Sequence, residues 1–169
     1  GRSKEQLTIV SMYRPNPGYQ TDGLTTVWLQ QQTGLQELML EYGQVKEIYP
    51  REKCLQDFKI WIDGRKESGE KVIILTDANQ TIQEETAAYD LKNLMTDSQL
   101  NIIMEDVYLQ QSLRSVEQGT KIIDHILTSG IDKLQVSKVG QLPFGLGFAS
   151  DHRAMFANFC TDELLQIYM

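Results

Sequence analysis

Cysteine is scarce in this sequence, with only Cys54 and Cys160 among 169 residues. Two thiols so far apart form no disulfide framework and lack the spacing of a metal site. Both are expected as buried free thiols in a reducing, intracellular compartment. Long apolar runs are missing as well. The longest, Val72 to Leu75, is far too short to cross a bilayer, so no membrane partner is expected. The first residues also lack the charged-then-apolar pattern of a secretion signal. Basic charge is in deficit, with 16 Lys and Arg against 23 Asp and Glu and a net charge of −7. That argues against a broad electrostatic platform for nucleic acid. It leaves room for an enzyme that meets phosphates through a bound cation, because carboxylates must gather where such a cation sits. Histidine is nearly absent: His125 and His152 are the only two, and each directly follows an aspartate.

What remains is ordinary globular material, 41% apolar and 23% charged, long enough for one domain with a sizeable core. "LTIVSMY" (Leu7 to Tyr13) reads as a strand with apolar residues alternating at Leu7 and Ile9. A loop follows, punctuated by Pro15, Pro17, Gly18 and Gly23. Thr25 or Thr26 then caps a helix with the stripe Trp28, Leu35, Leu38, Met39 and Tyr42, interrupted at Gly34 and ended at Gly43. Pro50 opens a second helix, whose stripe of Cys54, Leu55, Phe58, Trp61 and Ile62 puts Trp61 in the core; Gly64 and Gly69 close it. A strand over Val72 to Leu75 and a helix over about 84–94 come next. Residues 96–118 are polar and ambiguous, with "NIIMEDVYL" either helix or short strand. "KIIDHIL" (121–127), "KLQVSKV" (133–139) and "RAMFANF" (153–159) read as strands, with the Gly-rich "GQLPFGLGFAS" before the last and a short helix after Thr161 or Asp162. Alternating strands and helices with long connections predict a layered α/β protein with mixed strand directions.

Three segments carry chemistry. "VIILTDANQ" ends a greasy strand at Asp77 and Asn79, residues that favour turns on their own account. "IIDHIL" sets Asp124 among apolar residues, costly for a carboxylate unless it is paired. Strand alternation turns His125 to the opposite face, which gives it an ordinary core or surface role. "FASDHRAMF" brings Asp151 and His152 together at the entrance of a strand after a flexible loop, where catalytic groups commonly sit. Carboxylate oxygens suit Mg²⁺, one of them can take a proton from water, and a charged imidazole can stabilise charge on phosphate.

In this order the motifs resemble the endonuclease/exonuclease/phosphatase superfamily, and in style the endonuclease domains of retroelement-type proteins. "VSMYRP", "VIILTDANQ", "IIDHIL" and "SDHRAMF" are similar to the family's Tyr-ended strand, Gly-Asp-x-Asn, Arg-x-Asp-Tyr and Ser-Asp-His segments. The resemblance implies a two-layer β-sandwich with mixed sheets flanked by helices. It implies Asp77 as the residue activating water with Asn79 assisting, Asp124 orienting His152, and Asp151 in the metal cluster. Tyr13 and Arg14 would contact substrate phosphate. The cofactor implied is Mg²⁺ or Mn²⁺ and the partner nucleic acid, DNA first. Thr76, Ile122 and His125 stand where the family has Gly, Arg and Tyr. The family's leading strands, with their Asn and metal-binding Glu, have no counterpart before Leu7. Residues 1–169 are therefore expected to be an N-terminally truncated, partial domain, with oligomeric state open. The leading expectation is metal-dependent phosphodiester hydrolysis by a DNA endonuclease. A phosphatase or an RNA or nucleotide phosphodiesterase is the alternative within the superfamily. A non-catalytic remnant serving as an interaction domain is the alternative outside enzymology.

Overall fold

The computed structural model describes residues 6–16, 26–43, 49–84, 88–103, 121–144 and 150–164. In chain order these form β1 (Leu7–Tyr13), α1 (Val27–Glu41), α2 (Pro50–Glu67), β2 (Lys71–Asp77), α3 (Leu91–Asp97) and β3 (Asn101–Ile102). Then come β4 (Asp124–Ser129), a 3₁₀ turn at Lys133–Gln135, β5 (Val136–Gln141), β6 (Met155–Phe159) and the one-turn α4 (Thr161–Leu164). The protein is thus mixed α/β. A four-stranded mixed sheet has the order β1-β2-β4-β3, and a separate two-stranded antiparallel sheet joins β5 and β6. Within the larger sheet β1 and β2 run parallel, while β4 is antiparallel to both β2 and β3.

β2 sits in the middle of that sheet, and its sequence shows why. Val72, Ile73 and Ile74 are buried in succession, as expected of a β-branched run covered on both faces. Val72 and Ile74 join Leu127 and Met12 in a core with Leu55 and Ile62 of α2 and Leu91 and Leu94 of α3. Ile73 and Ile126 point the other way, into a second cluster with Ile131 and Leu164; Val136, Val139, Met155, Ala157 and Phe159 of the β5–β6 pair pack on it. Each fully buried Leu or Ile contributes about 1.5–3 kcal/mol to this arrangement.

Several boundaries differ from expectation. α2 begins at Pro50 but runs through Gly64 to Glu67, and Gly69, at φ +73°, makes the left-handed stop. Trp61 packs against the core beside Phe58, with ring centroids 5.5 Å apart. α1 likewise runs unbroken through Gly34 with Thr26 as cap, yet buries none of its residues; Leu38 and Tyr42 stay exposed. On β1, Val10 and Met12 face the helices, whereas Ile9 is 64% exposed. Both cysteines are half-buried free thiols. α3 starts at Leu91 instead of Glu84, because Asp90 and Asn93 form a reciprocal cap there. β5 starts at Val136, after the 3₁₀ turn, and β6 at Met155. Residues 101–102 of the ambiguous stretch form a strand. Its continuation at 104–118, the loop glycines Gly18 and Gly23, and residues 145–149 of the Gly-rich loop lie outside the described residues. Among the described residues, no helix is long and apolar enough to cross a membrane.

Candidate active site

The site begins with register. β2 ends at Asp77 and β4 begins at Asp124, and the antiparallel ladder sets these two residues opposite one another. Directly opposed residues carry their side chains on the same face, so two carboxylates meet at one end of the sheet. The position is fixed by backbone bonds on both sides. Ala78 N–H donates to the Ile123 carbonyl at 2.9 Å, and Arg14 N–H donates to the Asp77 carbonyl at 2.9 Å. Asp124 is therefore the first residue of its strand and not, as the apolar run suggested, an interior one. Ile122 and Ile123 precede the ladder because β2 has ended by then.

His152 completes the group from the segment that leads into β6. Its backbone N–H donates to Ser150 Oγ at 3.1 Å, closing the turn that leads into β6. Its Nδ1 lies 2.9 Å from Asp124 Oδ2. A carboxylate only accepts, so Nδ1 carries the proton, and among the described residues none partners Nε2. Asp77, Asp124 and His152 offer ligand atoms that all lie within 4.8 Å of one another. Asp77 and Asp124 border a cleft of about 230 Å³ whose wall also includes Ser11, Leu75 and Arg153. A larger cavity of about 510 Å³ lies between α1 and α2. It is walled by Met12, Leu35, Phe58 and Trp61, and its charged pair, Lys53 and Asp57, is bonded to itself. The acidic cleft is the place with chemistry.

Electrostatics push the three groups in different directions. Half-burial, reinforced by the Asp124 charge, raises the Asp77 carboxyl above its ordinary value. For His152, burial alone would lower the pKa. The bond to Asp124 and the charges of Asp124, Asp77 and Asp151 outweigh it, and the net shift is upward. The cleft thus holds an acid pushed toward neutrality beside an imidazole pushed toward its charged form.

The remaining expected residues divide. Tyr13 ends β1 in register with Asp77 and is 50% exposed, but it is not among the residues that line the cleft. Asn79 takes a left-handed φ of 48°. Its N–H donates to Asp77 Oδ1 at 3.1 Å, and its Nδ2 donates to the Arg14 carbonyl at 2.8 Å. It shapes the Asp77 corner, with its amide held by backbone. Arg14 is placed differently from expectation. It is only 3% exposed, its guanidinium donates to Gln80 and to the Arg51 carbonyl, and burial beside Arg51 lowers its pKa to about 10. It braces loops and does not face the cleft. Asp151 is exposed and stands outside the three-residue group, acting on His152 through its charge. His125 is fully buried on the opposite face, its Nε2 2.8 Å from the Gln80 carbonyl.

Sequence reasoning passed over two arginines. Arg51 donates to the Pro15 and Asn79 carbonyls, tying the loop after β1 to the turn after β2. A signal existed, since a cation in the first turn of a helix opposes the helix dipole and "YPREK" has one. Arg153 lines the cleft and directly follows His152, inside the motif already singled out. Neither a scan against models of known protein families nor a search of curated proteins finds a match to this chain.

Proposed function

We propose that this chain is the catalytic part of a metal-dependent phosphodiesterase of the endonuclease/exonuclease/phosphatase type, with DNA as its substrate. The observation that carries the reading is the bond between Asp124 of β4 and His152 before β6, formed next to the opposed Asp77. Packing of the β5–β6 pair on Ile73 and Ile126 supports a two-layer sandwich, with the cleft opening where the layers meet.

In this reading Asp77 takes a proton from the attacking water. His152 is held charged and correctly turned by Asp124, and its Nε2 donates to a non-bridging oxygen of the phosphate as negative charge develops there. Asn79 keeps Asp77 in place through the corner bond. The donor set fits a hard divalent cation, since two facing carboxylates repel each other without one. Asp77 and Asp124 would hold Mg²⁺ or Mn²⁺, with Asp151 near enough to add charge. Bound there, the cation supplies Lewis-acid charge for the phosphate.

The test is nicking of supercoiled plasmid with Mg²⁺, with EDTA and His152→Ala as controls. Cleavage that disappears in both controls is the expected result. A folded sample that never nicks plasmid, or a His152→Ala protein that nicks at the wild-type rate, removes the assignment.

A further inference from the structure

Four arginines fall among the described residues. Arg14 bonds Gln80, Arg51 bonds the Asn79 carbonyl, and Arg65 bonds Glu70. Arg153 is the exception: among the described residues no hydrogen bond or ion pair engages its guanidinium, and its Nε is buried without a partner. Leaving a buried donor unmade costs about 1–3 kcal/mol, and native structures seldom keep one without a reason. Asp77 and Asp124 border the same cleft, yet Arg153 pairs with neither, so neutralising these acids is not its task. It stacks on an aromatic ring, Cζ lying 4.3 Å from the centroid of Phe144. Stacking occupies the flat face of a guanidinium and leaves the N–H groups at its edge, the fork geometry that suits a phosphate bidentately.

We propose that Arg153, carried on Phe144, is the anion-binding residue of the cleft and takes a backbone phosphate of the substrate. This rests on the phosphodiesterase reading above and adds the group that sets where the strand lies. It also answers how a chain of net charge −7 attracts a polyanion at one point. The cation is local and kept free for it.

The probe is inorganic phosphate in the presence of EDTA, followed through the arginine Nε–Hε resonances in ¹⁵N-edited NMR. One resonance should shift saturably in the wild type and be missing in Arg153→Ala, whose phosphate affinity falls by about tenfold or more. Arg153→Lys should recover part of the affinity. Phe144→Leu keeps the cation, removes its platform and should weaken binding by about two- to fivefold. Because Arg153 loses no polar partner on substitution, the melting temperature of Arg153→Ala should stay within a few degrees of wild type. Absence of any saturable shift, or equal phosphate affinity in Arg153→Ala, overturns the proposal. Phosphate binding needs neither metal nor cleavage. Saturable binding by a chain that never nicks plasmid would therefore remove the enzymatic reading and leave the anion site standing. Normal nicking with phosphate affinity unchanged in Arg153→Ala would do the reverse.

Discussion

Replacing Asp77 with asparagine should make the metal-free protein more stable. Asp77 and Asp124 face each other across the ladder, and their oxygens belong to a group spanning no more than 4.8 Å. At that separation two unit charges repel by about 1 kcal/mol under water-like screening and about 3.5 kcal/mol at an effective dielectric of 20. The nearby His152 charge offsets part of this, so about 1 kcal/mol is the expected gain, or about 2–4 °C in melting temperature for a chain of this size. Asparagine keeps an Oδ1 for the Asn79 N–H, so the corner itself survives. Asp77→Ala loses that acceptor as well, which cancels about 1 kcal/mol. The pH dependence distinguishes charge from packing. The folded-state pKa of Asp77 is raised, so ionisation penalises the native state above that pKa, and the penalty vanishes below the ordinary carboxylate range. The gain in Asp77→Asn should be full at neutral pH and disappear as the solution is acidified. Urea unfolding in EDTA at pH 7 and pH 3.5 measures it. A variant equally destabilised at both pH values would refute the reasoning and make Asp77 a packing residue.

Two other outcomes follow from the same geometry. His152 has a raised pKa, so its contribution to stability is fully present below the ordinary histidine value and lost as pH rises through the folded one. Asp124→Asn should bring its imidazole titration down toward the ordinary value in proton NMR, and an unchanged titration would break the pairing. Thr76 is 5% exposed and its hydroxyl is buried without a partner. Thr76→Val should stabilise the fold by about 1 kcal/mol in urea unfolding, and a loss of stability would reveal a partner for that hydroxyl.

Local signals were legible where local physics decides. β1 has its expected limits, Pro50 opens α2, and Thr26 caps α1. β2 extends past Leu75 to Asp77, which makes the opening corner part of the ladder. Expectations failed where the outcome depends on a distant partner. The α1 stripe has helical spacing, but a stripe is buried only if another element covers it, and spacing does not show that. The start of β4 was misjudged because Ile122 and Ile123 look strand-like. Only the length of β2, some fifty residues earlier, decides that pairing begins at Asp124. Glu84 looked like a helix start. Instead its carboxylate accepts from Thr81 N–H and pairs with Lys121, and a turn results. Arg14 shows the same limit at the site, since proximity in sequence to Tyr13 says nothing of which side of the sheet end its side chain takes.

One polar side chain that the fold leaves unsettled stands in the acidic cleft. Three buried side-chain atoms among the described residues lack a partner, and one of them, Arg153 Nε, belongs to the acidic cleft; Thr76 pairs with His125 in the ladder and turns its hydroxyl to the other face. The same cleft holds the opposed Asp77 and Asp124. A fold selected only for stability would bring Arg153 onto these acids, where a charge-assisted pair contributes more than a contact with Phe144. Keeping a cation and two anions in one cleft without letting them neutralise each other leaves carboxylates for a positive ligand and a guanidinium for a negative one. That is the requirement of a site that must hold a metal ion and a phosphate together, and it costs stability in the empty protein. The gain expected from Asp77→Asn measures that cost directly.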